Sequence, residues 1–194
     1  MDDSLTAALA AAKMLDELEV RWFLGGSLAS SVHGIPRATF DADIMADLRP
    51  LHVRPLLKLL GEDWYADELA IREALTNRSS FNLIHLATAM KVDVFLPKLR
   101  RFDGGEFLRS KRMPVEPDGG LEASVCCAED ICIAKLEWYR EGGEISERQW
   151  GDVVGVLSLN RDKLDLDLLR QSAEEIGVTD LLQRALIDAG VIMD

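Results

Sequence analysis

The sequence predicts an α+β fold, with an α/β part over residues 1–115 and an all-helical part over residues 116–194. Three observations predict it. Short apolar runs with the two-residue alternation of strands recur through the first hundred residues, separated by stretches with helical spacing. From Ser124 onward nothing reads as strand, and four segments read as helix. Between the two parts, Lys98 to Glu122 is rich in Gly, Pro and charge, the composition of a long excursion.

The first helix is expected from Ser4 to Glu19, where Leu5, Ala8, Leu9 and Ala12 share one face and Ser4 is placed to cap. Val20 to Leu24 reads as a short buried strand ended by a sharp Gly25-Gly26 turn. Ser27 to His33 suits a short helix with Gly34 as its stop and Pro36 beyond it. Arg37 to Met45 returns to strand. Pro50 opens a helix over Leu51 to Leu60, and Asp67 to Leu75 gives another that ends near Asn77. Phe81 to Ala87 and Met90 to Leu96 are spaced to form a hairpin across Thr88-Ala89, and Pro97 ends its second strand. The later helices are expected at Ala128 to Arg140, Glu147 to Leu159, Asp165 to Ile176 and Asp180 to Ala189. Ser146 and Gln149 stand in capping-box spacing, and Gly177 and Gly190 sit where helix ends favour glycine.

Composition narrows the class. Nearly half of the 194 residues are apolar and 29% are charged, with a mean hydropathy near zero, which argues against disorder and against an integral membrane protein. No apolar run approaches the roughly 20 residues of a membrane span, and the first helix carries Asp2 and Asp3 instead of a basic leader, so a cytoplasmic location is expected. Cys126, Cys127 and Cys132 are odd in number and lack CxxC spacing, and they read as small apolar residues on a helix. A net charge of −12 opposes unaided binding to a long phosphate backbone. One basic segment stands out: Lys98, Arg100, Arg101, Arg109, Lys111 and Arg112. It reads either as a phosphate-facing patch or as a solvated, charge-rich loop.

The chemistry is carried by Phe23-Leu24-Gly25-Gly26-Ser27 and, fourteen residues after Ser27, by Asp41-Ala42-Asp43-Ile44. Strand alternation points Asp41 and Asp43 the same way, leaving Phe40, Ala42 and Ile44 for the core. Two adjacent carboxylates repel unless a cation neutralises them, and oxygen-only ligands suit Mg2+ or Mn2+. Asp93, between Val92 and Val94, is a third acid in a buried-looking strand, which is costly unless it is paired or metal-bound. A Gly-Gly-Ser turn between strand and helix lets backbone N–H groups approach phosphate, and Ser27 adds a hydroxyl.

Gly25-Gly26-Ser27-Leu28-Ala29, His33-Gly34-Ile35-Pro36-Arg37-Ala38-Thr39 and Asp41-Ala42-Asp43-Ile44 resemble the signature of minimal nucleotidyltransferases, in particular the AbiEii type found in toxin–antitoxin systems. The resemblance covers about a tenth of the chain. It implies a polymerase-β-like nucleotidyltransferase core with a mixed sheet, followed by helices. It also implies transfer of a nucleotidyl group from an NTP such as ATP, with metal and catalysis at Asp41, Asp43 and Asp93. The acceptor is left open between a protein, an RNA and a small molecule, and a cognate toxin or antitoxin partner is a further expectation.

Gly25, Gly26 and Ser27 are expected to bind the nucleotide. Arg37 is read either as a phosphate partner or as one half of a salt bridge. Lys135 lies within the apolar stripe of Ala128, Ile131, Cys132, Trp138 and Tyr139, so its ammonium either snorkels to solvent or turns inward toward triphosphate or the acidic cluster. A similar helix follows the core in the family, which favours the nucleotide-binding reading. His33 is read as capping or packing, and His52 and His85 as structural. Two alternatives keep the fold and change the function. One is a non-catalytic binding module, and the other is an antibiotic-modifying nucleotidyltransferase with a different acceptor pocket.

Overall fold

A computed structural model describes residues 3–116 and 119–193. Asp2, read above with Asp3, lies outside them, as do residues 117 and 118 of the excursion. The elements run α1 (Asp3–Glu17), β1 (Trp22–Leu24), α2 (Gly26–His33), β2 (Asp41–Ala46), a 3-10 turn (Pro50–His52), α3 (Val53–Leu60), β3 (Trp64–Tyr65), α4 (Glu68–Asn77), β4 (Ser80–His85) and β5 (Met90–Phe95). They continue with α5 (Arg101–Arg109), β6 (Lys111–Pro114), β7 (Glu122–Val125), α6 (Ala128–Glu141), α7 (Glu147–Asn160), α8 (Leu166–Ile176) and α9 (Thr179–Asp188). The chain divides into two compact units, one taking in the described residues up to Leu28 and Ala38–Val125, the other Ala29–Arg37 and the residues from Cys126 on.

The first unit is built on a seven-stranded mixed sheet in the order β3-β4-β5-β2-β1-β7-β6. β4 and β5 form the expected antiparallel hairpin, and β5 then lies parallel to β2, with Asp41 opposite Lys91 and Asp43 opposite Asp93. β2 pairs antiparallel with β1. Ala42, Ile44, Val92 and Val94 are all buried, as alternation on a half-covered sheet requires. Helix α1 packs across β2 and β5 and inserts Leu5, Ala8, Ala12 and Leu15 into the core. α4 starts as its sequence indicates, with the Asp67 carboxylate accepting from the N–H groups of Leu69 and Ala70, a cap that stabilises a helix by about 1 kcal/mol.

Several expectations are corrected. The excursion from Lys98 to Glu122 is not structureless: it holds α5 and β6. Gly104 and Gly105 depress helix propensity by about 1 kcal/mol each. What offsets them is tertiary, namely burial of Phe102 and a two-bond clasp of Asp103 by Arg100. β7 overturns the expectation that no strand follows Ser124. It is short, and although β6 lies just before it in sequence, its other partner, β1, is distant. β3, two residues long, carries no periodicity that could be read.

The strand expected from Arg37 begins only at Asp41, and Phe40 is 84% exposed instead of facing the core. β2 finds its partner strand only from the Asp41–Lys91 pair onward, so the face assignment does not extend to Phe40. Ser4 lies inside α1, fully buried, and is not a cap. Of the cysteines, only Cys132 is within a helix, since Cys127 sits at the N-cap of α6 and Cys126 precedes it. All three are free thiols.

In the second unit α6 packs on α7 and α8, and α9 packs on α7 and α8. The capping residues act as read: the Ser146 hydroxyl accepts from Gln149 N–H, and Gly177 ends α8 in the left-handed conformation at φ 80°. Among the described residues no helix is long and apolar enough to cross a membrane.

Candidate active site

Strand pairing brings the three predicted carboxylates to one face of β2 and β5. Asp43 and Asp93 are direct register partners, and Asp41 lies two residues along β2 from Asp43. Their surroundings differ, with the Asp41 side chain 55% exposed and that of Asp93 only 15%. The hydroxyl of Thr39 donates to the Asp41 carbonyl and fixes the entry into β2.

Gly25 and Gly26 join β1 to α2 directly beside this face. The Gly25 N–H donates to the Asp43 carbonyl at 2.9 Å, so this donor is committed to the scaffold. Gly26 adopts φ +52°, and a Cβ built on it would overlap the Asp43 carboxylate, so only glycine lets the chain turn this close to the acid. α2 begins at Gly26. Its first turn, through Ser27 and Leu28, therefore carries the N–H groups that helix geometry does not use internally, beside Asp43.

One residue that sequence reasoning passed over stands among the acids. Lys91 is opposite Asp41 in the register, and its Nζ lies 2.7 Å from Asp93 Oδ2 and 3.9 Å from Asp41 Oδ2. The hydrogen bond to Asp93, with the charges of Asp93, Asp41 and Asp43, raises the Lys91 pKa above its ordinary value against an opposing effect of burial. The signal was present in the sequence, because Lys91 and Asp93 are two apart on one strand and share a face.

A divalent ion is implied by the predicted chemistry, and the donor set fits one: three carboxylates, oxygen ligands only, on one sheet face. The cation that lies within 4 Å of two of them is the Lys91 ammonium. Among the described residues, however, no group of three His, Cys, Asp or Glu side chains is gathered closely enough to close around an ion.

The second unit holds Arg37 and Lys135. Both donate to Asp152 of α7: Arg37 through two nitrogens at 2.9 and 2.8 Å, and Lys135 through Nζ at 2.8 Å. Lys135 is 7% exposed, so its ammonium turns inward and does not snorkel. Burial pushes the Asp152 carboxyl up, but the hydrogen bonds and charges of Arg37 and Lys135 outweigh it and hold the pKa below its ordinary value. Asp152 lies 115 positions from Arg37, and nothing local in the sequence marked it.

Each histidine has a partner within the protein. His33 bonds the Cys126 carbonyl through Nε2, while the Asn160 amide donates to the His33 carbonyl. His52 accepts from Arg49 N–H, and His85 bonds Thr88. The basic segment is partly neutralised, with Arg100 on Asp103 and Arg112 near Glu122. β6, which carries Lys111 and Arg112, is three strands from β2, about 14 Å at ordinary strand spacing.

A mixed sheet whose central parallel pair carries an Asp-x-Asp strand beside a third acid, with a Gly-Gly-Ser turn against it, defines a nucleotidyltransferase fold, and known structures agree. An antigenic nucleotidyltransferase-like protein from Paracoccidioides brasiliensis aligns over 95% of this chain and 92% of its own, with a TM-score of 0.52 and 16% identity. ANT(2")-Ia, in its complex with adenylyl-2"-tobramycin, aligns over 93% of this chain and 96% of its own, with a TM-score of 0.52 and 13% identity. No protein-family model and no curated protein matches the chain. At these identities the likeness concerns the fold.

Proposed function

We propose that the chain is a metal-dependent nucleotidyltransferase in which an acceptor hydroxyl attacks the α-phosphorus of a nucleoside triphosphate, taking the nucleotidyl group and releasing pyrophosphate as the bond between the α- and β-phosphates breaks. The observation that carries this reading is the register pair Asp43–Asp93, with Asp41 on the same face and the Gly26 turn against Asp43. Asp41, Asp43 and Asp93 would hold Mg2+ or Mn2+, which when bound offsets the charge of the triphosphate and lowers the pKa of the attacking hydroxyl.

The chain's own groups supply the positioning. The first turn of α2 and the Ser27 hydroxyl donate to the phosphates. Asp93, the more enclosed of Asp41 and Asp93, accepts the acceptor's proton. In the second unit Arg37 and Lys135, oriented by Asp152, are the cations suited to a phosphate group. The paired state of Arg100 and Arg112 and the net charge of −12 favour a protein or small-molecule acceptor over a long RNA strand.

The test is incubation with each of the four labelled NTPs, Mg2+ and cell lysate, followed by separation of labelled protein, RNA and small molecules. Label that depends on Asp43 is the expected result. Nucleotide binding without transfer in any fraction would instead identify a non-catalytic binding module.

A further inference from the structure

The acidic face carries its own cation. Asp41, Asp43, Lys91 and Asp93 form a two-by-two block, Asp41 facing Lys91 and Asp43 facing Asp93 across the strands. The Lys91 ammonium bonds Asp93 Oδ2 at 2.7 Å and lies 3.9 Å from Asp41 Oδ2, so it holds one oxygen that a divalent ion would use and stands near a second. Lysine is suited to a part that must leave, because its charge sits on a flexible stem and its three donors have no fixed plane. The side chain is 41% exposed, so solvent lies open to it.

We propose that Lys91 is a built-in counter-cation that competes with the divalent ion for Asp93 and Asp41, so that loading the site requires its ammonium to be withdrawn. The inference rests on the metal reading given above. An ion on the Asp93 oxygen that Lys91 holds would meet the ammonium at contact distance with like charge. Binding of the ion alone therefore breaks an ion pair and leaves an ammonium without a partner. Binding of the ion together with a triphosphate breaks the pair as well, but the phosphates supply the released ammonium with an anion. Lys91 thus makes the site discriminate against bare metal in favour of metal that arrives with nucleotide.

The test uses the full chain and Mn2+ alone, with unbound Mn2+ read from its EPR signal at fixed pH and ionic strength. Lys91→Met should bind Mn2+ about two- to fivefold more tightly than the unmodified chain, the range set by removing one partly exposed ion pair. Lys91→Arg, which keeps the charge, should stay close to the unmodified protein. A non-hydrolysable NTP should narrow the gap between Lys91→Met and the unmodified chain to less than twofold. Equal or weaker Mn2+ binding by Lys91→Met overturns the proposal, and Lys91→Gln serves as the second variant if Met impairs folding. Asp43→Asn separates the two readings. If it leaves Mn2+ binding unchanged, or if neither the unmodified chain nor Lys91→Met binds Mn2+, the metal reading fails and the competition falls with it. If Asp43→Asn abolishes binding while Lys91→Met fails to tighten it, only the competition is wrong.

Discussion

Gly26 and Asp43 are packed so tightly that a single methyl group on Gly26 would occupy the space of the Asp43 carboxylate. The turn that begins α2 and the acid of β2 are therefore one structural unit, and neither can be changed without the other responding.

Gly26→Ala should destabilise the protein by about 1–2 kcal/mol from its left-handed backbone alone, with the overlap adding to it. In a domain of this size the backbone effect by itself is a fall in Tm of roughly 2–8 °C. Gly25→Ala is the control, because a Cβ there meets nothing within 4 Å, and its Tm should stay within about 2 °C of the unmodified protein. Equal melting of the two variants would show that the close approach is not rigid.

Asp43→Asn removes one of three like charges, so the ligand-free protein should melt at an equal or higher temperature. Asp93→Asn takes away the nearest partner of Lys91 and should lower stability by no more than about 1 kcal/mol, since Lys91 is partly exposed. Both variants should lose the thermal shift given by Mg·NTP, which at a hundredfold excess over Kd amounts to about 2.7 kcal/mol, roughly 5–11 °C. A full shift retained in both would remove these residues from the nucleotide site.

Asp152→Ala strands the buried Lys135 ammonium and should cost about 3–5 kcal/mol, more than Lys135→Met, which removes the charge along with its partner. The pH dependence has a definite sign. Because the folded-state pKa of Asp152 is depressed, its contribution is complete above the ordinary carboxylate pKa and is lost as pH falls through the folded value. Urea unfolding from pH 6 down to pH 3 should show a stability loss below about pH 4 that is smaller in Asp152→Asn.

Burial, ahead of the nearby acidic charges, pushes the Cys132 thiol well above its ordinary pKa, and the half-buried Cys127 follows the same order of causes. In the folded protein at pH 8 both should react with iodoacetamide far more slowly than an exposed thiol, and all three cysteines should react after unfolding. Rapid modification of Cys132 in the native state, followed by mass spectrometry, would contradict its placement.

Much of this site was legible because its signals are local. Asp41 and Asp43 alternate with Ala42 and Ile44 inside one strand, and Gly25-Gly26-Ser27 follows an apolar run, so period and turn chemistry were enough. Lys91 carried the same local signal, and its two-residue spacing from Asp93 makes it readable in retrospect. Asp152 could not be read, since its meaning depends on Arg37 and Lys135, which meet it only in the folded unit. β6 and β7 were hidden for a related reason. Lys111-Arg112-Met113-Pro114 is a polar edge strand ending in proline, and its strand character comes from its neighbour.

The parallel pairing of β2 with β5 joins Asp41 to Lys91, fifty positions away in the chain, whereas β4 and β5 are joined through a turn of only a few residues. Hairpins close within microseconds, and distant pairings wait on a larger loop-closure entropy. Lys91 and Asp93 share β5, so their ion pair needs only the local strand and not the β2 pairing. When β2 docks, Asp41 and Asp43 meet an acid that already has its cation. A chain that closes its β4–β5 hairpin first therefore brings Asp93 to β2 with a cation beside it, and three bare carboxylates need not converge.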